Sequence, residues 1–85
     1  MGSGQEFKVS VLSAEKTVFE GDVECLLIPS TRGQVAILPL HTPMILLMTA
    51  GIVYVVQNQK KKKITEVKTG IVRVDDNDVY VLVNL

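Results

Sequence analysis

No tryptophan occurs in this chain, and only two phenylalanines and two tyrosines do. With so few rings the core has to be aliphatic, built from Val, Ile and Leu. There is one cysteine, Cys25, so an internal disulfide and a thiolate metal site are both excluded; a lone thiol fits a reducing compartment. There is one histidine, His41, so no histidine cluster is available to hold a metal. The charges balance at nine basic against nine acidic residues. That argues against a nucleic-acid binder, which needs a net basic face to displace counterions. It also leaves little self-repulsion to keep copies or partners apart. The longest apolar runs, Pro43 to Met48 and Ile52 to Val56, fall far short of the roughly 20 residues of a helical membrane span.

What is present is alternation. Phe7, Val9 and Val11 fall on one side of an extended segment, with Lys8 and Ser10 on the other. Thr17 to Phe19 reads as extended, Glu20-Gly21-Asp22 as an interruption, and Val23 to Ile28 as a continuing strand. Pro29 to Gly33 has loop composition, and Gln34 to Leu38 is a short strand. Pro39 and Pro43 cannot donate ladder hydrogen bonds, which places this stretch at a sheet edge or corner. Met44 to Met48 fits helix or strand by periodicity, and Ala50-Gly51 stops it. Ile52 to Val56 is rich in β-branched residues. Ile64 to Thr69 alternates, Gly70 breaks it, and Ile71 to Val74 and Val79 to Val83 flank a turn at Asp75 to Asp78. Short strands, frequent turn signals and no amphipathic helix predict an all-β fold, a sandwich or barrel around an aliphatic layer.

Chemistry has few candidates. A Cys25–His41 nucleophile pair is formally available, but Cys25 alternates with Glu24 and reads as a small apolar core residue. Glu20, Asp22 and Glu24 alternate along one strand and read as a solvated face. Asp75 to Asp78 starts like a calcium loop but lacks its glycine and terminal glutamate, so it reads as a polar hairpin turn. Three readings fit Lys60 to Lys63: a solvated hairpin tip, a charged guard on a sheet edge, or a contact for anionic lipid or nucleic acid. No catalytic residue, cofactor site or metal site is expected.

Phe7 to Ile45 carries a series of short motifs in order: Ser13-Ala14-Glu15, Phe19-Glu20-Gly21, Arg32-Gly33 and Leu38-Pro39-Leu40-His41-Thr42-Pro43. Further on come Gly70-Ile71-Val72-Arg73-Val74 and Val79-Tyr80-Val81-Leu82. Together, from Phe7 to Leu85, the chain resembles the N-terminal β-sandwich domain of the epsilon subunit of F-type ATP synthases (delta in mitochondria). The resemblance implies a flattened sandwich of two roughly five-stranded, mostly antiparallel sheets. It implies a non-catalytic subunit of the rotating central stalk that docks on the gamma subunit and the c-ring, coupling rotation to ATP synthesis. It puts Arg32, Gly33 and Gln34 on the c-ring side and Leu40, His41, Thr42, Pro43 and Met44 on the gamma side. It implies no contact with nucleic acid. It also implies a place on the cytoplasmic side of a bacterial plasma membrane, which is met only through the complex.

The chain departs from the family pattern at Leu40, Ala36 and Thr69, where glycine is usual, and at Arg32 and Gln34, where an acidic residue is usual near the glycine. It ends at Leu85, before the family's two C-terminal helices would begin. Residues 1–6 read as a vector-derived scar or disordered N-terminus and 7–85 as one epsilon-like sandwich domain. His41, between two prolines, reads either as a corner residue bonded to backbone or as part of a stiff corner that presents itself, Leu40, Met44 and Ile45 to a partner. Two functions stay open. A stalk interaction module predicts an exposed apolar patch on a sheet or edge. A stand-alone sandwich with another partner or ligand predicts a concave pocket with convergent polar groups. In isolation, an exposed edge also allows a homodimer.

Overall fold

The computed structural model describes residues 5–39 and 42–85. Within them the strands are β1 (Phe7–Leu12), β2 (Thr17–Val23), β3 (Cys25–Ser30), β4 (Gly33–Ile37), β5 (Met44–Met48), β6 (Gly51–Gln57), β7 (Lys60–Val67), β8 (Thr69–Asp75) and β9 (Asp78–Asn84). They form an all-β sandwich. One sheet has five strands in the order β2-β1-β9-β8-β5, the other four in the order β4-β3-β6-β7. Every pairing is antiparallel except β1 with β9.

The core follows from period-two alternation. Phe7, Val9 and Val11 of β1 and Val79, Val81 and Val83 of β9 point inward, as do Val72 and Val74 of β8. From the other sheet come Leu26, Ile28, Ile37, Val53 and Val55. Val9, Val11, Val23, Leu26, Ile28, Val53, Val55, Val72 and Val81 have no exposed surface, so the layer between the sheets is closed and dominated by valine. β-branched side chains suit it because they are stiff at χ1 and stack well on a pleated surface.

The expected continuous strand from Val23 to Ile28 is two strands. β2 ends at Val23 in the five-stranded sheet, and β3 begins at Cys25 in the four-stranded sheet. Glu24 is the corner. Its N–H donates to Val56 O at 2.8 Å, and its Oε1 accepts from Gln59 N at 3.0 Å. Changing sheets resets which residues face inward. Leu26 and Ile28 are buried, which turns Cys25 and Leu27 outward, half-exposed. Cys25 is therefore not a core residue: it sits opposite Val56 on the outer face of the four-stranded sheet.

The two glycines expected to break strands lie inside them. Gly21 pairs with Val9 within β2. Gly70 pairs with Val83 within β8, where an added Cβ would lie 2.6 Å from Leu82 O. The missing side chain lets β8 and β9 approach at full register instead of interrupting them. The irregularities fall at Val11/Leu12 and at Val53/Tyr54. Met44 to Met48 is extended rather than helical. Each of its residues pairs with β8, and the six residues between Pro43 and Ala50 are too few for a stable helix.

The turns follow local chemistry. Asn58 and Gln59, both with positive φ, close the β6–β7 hairpin between Gln57 and Lys60. Asp76, also at positive φ, turns β8 into β9. Ser13 Oγ accepts from Lys16 N at 3.2 Å and donates to Lys16 O, which shapes the link between β1 and β2. Gln57 ties the sheets together at one end: its Nε2 donates to Asp22 O at 2.9 Å, and its Oε1 accepts from Lys62 Nζ at 3.1 Å.

Two outcomes follow from these facings. Leu26→Ala, fully buried, costs about 2–5 kcal/mol in urea unfolding, while Leu47→Ala, 72% exposed, stays within about 0.5 kcal/mol; equal effects would contradict the assigned facings. Burial pushes the Cys25 thiol above its ordinary pKa. Its alkylation by iodoacetamide at pH 7.5, followed by mass spectrometry, should run at least about threefold slower than that of a free cysteine and speed up with pH beyond the usual thiol range. A rate equal to that of free cysteine would contradict this.

Candidate interaction surface

The outward positions of an antiparallel sheet facing water are normally polar. On the five-stranded sheet one row of them is not. Reading across the strands, Leu47 of β5 pairs with Ile71 of β8, Ile71 with Leu82 of β9, and Leu82 with Leu12 of β1. Four aliphatic residues thus form one row across the outer face. Leu47, Ile71 and Leu82 are 72%, 43% and 51% exposed.

The neighbouring row is mixed: Ile45, Arg73, Tyr80, Ser10 and Glu20. The next is ionic: Asp75, Asp78, Lys8 and Asp22. The ion pairs Arg73–Asp75 at 3.7 Å and Lys8–Glu20 at 3.4 Å lie at this end. Both are solvent-exposed and contribute about 0–1 kcal/mol each. The face therefore grades from aliphatic to charged along the strands. Beside the aliphatic row a shallow, open depression of about 510 Å³ is lined by Leu47, Gly70, Ile71 and Leu82 among others.

Among the described residues, those expected to face partners fall at opposite ends of the sandwich. Arg32 lies in the turn between β3 and β4, with Gly33 and Gln34 opening β4; all three are exposed. Ser30 Oγ holds this turn, accepting from Arg32 N at 3.2 Å and donating to Gly33 O at 2.8 Å. Gly33 has φ of 102°, a left-handed value that a side chain would strain. Thr49 and Ala50 lie at the same end, where Thr49 N donates to Pro29 O at 3.2 Å. Thr42 and Pro43 are exposed at the far end, leading into β5. Leu40 and His41 lie outside the described residues. Met44 is half-buried against the core, while Ile45 beside it is 68% exposed.

The aliphatic row was not singled out from the sequence. A signal for it existed: Gly70-Ile71-Val72 and Val81-Leu82-Val83 are apolar at both parities, which marks strands covered on both faces. The lysine run forms the edge strand β7. Lys61 Nζ lies 4.2 Å above the Tyr54 ring, and Lys63 pairs with Glu66 at 3.5 Å. This position fits two of the three readings: the exposed run starts beside the β6–β7 hairpin turn, and charge along an edge opposes pairing with foreign strands. Among the described residues, no three His, Cys, Asp or Glu side chains gather closely enough to hold a metal ion.

Comparison with known proteins follows the same outline. Residues 6–85 match the family described as ATP synthase, Delta/Epsilon chain, beta-sandwich domain. The ATP synthase epsilon chain of Leptospira interrogans is 35% identical over 80 residues, covering 94% of this chain and 62% of that protein. The epsilon chain of Rippkaea orientalis is 38% identical over 77 residues, covering 91% and 56%. This chain thus spans about three-fifths of the length of these curated relatives. A chain in the Euglena gracilis mitochondrial ATP synthase structure of OSCP, F1 and c-ring shares the fold with a TM-score of 0.82 at 18% identity, over 98% of this chain and 55% of that one. One in the Tetrahymena thermophila mitochondrial ATP synthase central stalk and c-ring does so at 0.78 and 15%, over 95% and 65%. With the match running the length of the sandwich, the chain belongs to the ATP synthase delta/epsilon family through that family's β-sandwich domain.

Proposed function

We propose that this domain is a non-catalytic rotor element of the central stalk of a proton-translocating ATP synthase, docking on the gamma subunit and on the c-ring. The observation that carries this reading is the row Leu12, Leu82, Ile71 and Leu47 on the outer face of the five-stranded sheet. An aliphatic row this exposed on a small domain is costly in water and suits a surface covered in a larger assembly. The names of the epsilon-chain relatives and the stalk and c-ring setting of the fold's solved neighbours support it.

The work asked of such a domain is mechanical. A block whose sheets are locked by a closed valine layer transmits force with little deformation, since protein interiors are close-packed. Force needs two separated contacts. The gamma subunit takes the outer face of the five-stranded sheet, from Thr42, Pro43 and Ile45 to the aliphatic row. The c-ring takes the end bearing Arg32, Gly33 and Gln34, whose turn is fixed by Ser30. His41 and Leu40 belong to the gamma side in this reading. The membrane, on the cytoplasmic side of a bacterial cell, is met only through the ring. Each contact leaves the domain chemically unchanged, so no cofactor enters.

Pull-down with purified gamma subunit and with c-ring tests this. Ile71→Lys combined with Leu82→Lys should weaken gamma capture by at least about tenfold, because two charges would be desolvated in an apolar contact. Lys61→Ala, on the other sheet, should leave it unchanged. A doubly substituted protein that keeps its β-sheet circular dichroism and still binds gamma like the parent would overturn the assignment of this face.

A further inference from the structure

The sandwich has two flanks, and only one is guarded. On the first, the edges are β2 and β7. β7 carries Lys60, Lys61, Lys62 and Lys63, and β2 carries Glu20 and Asp22. On the second, the edges are β4 and β5, and neither contains a charged residue. β5, Met-Ile-Leu-Leu-Met, pairs only with β8 among the described residues. Its outer row of backbone N–H and C=O groups is therefore open to another strand. Ile45 and Leu47 on this strand, at 68% and 72%, are the most exposed large apolar side chains among the described residues.

The strand is also close to a palindrome about Leu46. We infer that β5 pairs antiparallel with β5 of a second copy of this chain, about a two-fold axis at Leu46. In that register Met44 of one copy meets Met48 of the other, and Ile45 meets Leu47. Residues opposite each other in an antiparallel pair share a face. Met44, Leu46 and Met48 all belong to the inner parity, and Ile45 and Leu47 to the outer. Two-fold pairing therefore keeps inner with inner and outer with outer, as register requires. The two five-stranded sheets become one of ten strands.

The occupant is a second copy for three reasons. The register is self-complementary, as an isologous contact demands. No charge lies on the strand and the net charge is zero, so nothing repels a twin. The aliphatic row of each copy runs out to the seam at Leu47, where the partner's equivalent of Ile45 continues it. Pro43, without an N–H, and the turn at Ala50 limit the ladder to about these five residues, so the dimer is modest and concentration-dependent. Because it concerns the domain alone, this inference stands or falls separately from stalk docking.

Sedimentation velocity on the purified domain reads it directly. The parent should move from 9.3 kDa toward twice that mass as concentration rises. Ile45→Lys and Leu47→Lys each add two charges to the seam and should weaken dimerisation by at least about tenfold, more at low salt. Lys61→Ala on the guarded flank should not change it. Hydrogen exchange on the parent gives an independent reading: β5 amides should gain protection with concentration. A parent that stays monomeric into the millimolar range overturns the proposal. So does a dimer that survives Ile45→Lys but dissolves on Leu82→Lys, which would be joined through its sheet faces, and so does a dimer with no added protection in β5.

Discussion

The layer formed by Val9, Val11, Val23, Leu26, Ile28, Val53, Val55, Val72 and Val81 fixes the facing of nearly every other residue. Once these side chains are committed inward, the pleat assigns their neighbours outward without further choice. Cys25 and Leu27 face out because Leu26 faces in. Ile71 and Leu82 face out because Val72 and Val81 face in. The aliphatic row is thus a by-product of core parity in four strands and of a register that brings those strands level. Had its members been polar, the same core would have formed. Their apolar character answers to something other than folding, and that makes the row informative about partners.

Much of the fold was legible because strand alternation is a local property. β1 and β9 could be read from Phe7-Val9-Val11 and Val79-Val81-Val83, and the turns from Asp75 to Asp78 and from Asn58. What could not be read is non-local. Val23-Glu24-Cys25-Leu26-Leu27-Ile28 scans smoothly, yet the chain leaves one sheet for the other at Glu24, and only the hydrogen bonds to Val56 and Gln59 reveal it. For that reason Cys25 reads as a core residue in sequence and lies on the outer face in the fold. Gly21 and Gly70 were ambiguous for a related one: a strand glycine permits either a break or a close approach, and the deciding atom at Gly70 is a carbonyl on another strand.

The candidate surface divides in the same way. The Arg32–Gly33 turn is visible in sequence as loop composition from Pro29 to Gly33, and the structure adds that Gly33 takes φ of 102°. The sequence hints at Ile71 and Leu82, apolar at both parities, but that they join Leu12 and Leu47 in one row emerges only when pairings across up to 70 positions are known. An edge behaves similarly. The lysines of β7 announce themselves, whereas the openness of β5 depends on which strands the topology leaves unpartnered.

The parallel contact between β1 and β9 has a temporal side. β9 sits between β1 and β8, so the first and last strands of the domain are neighbours at the middle of one sheet. As the polypeptide leaves the ribosome, β1 can zip to β2 through a short link, but the gap beside it is filled only by the last strand of the domain to emerge. Closing that gap joins residues from the two extremes of the domain and carries a large loop-closure entropy. Until then the inward valines of β1 have no lateral neighbour on that side, and the nascent half-sheet presents a sticky slot to whatever passes.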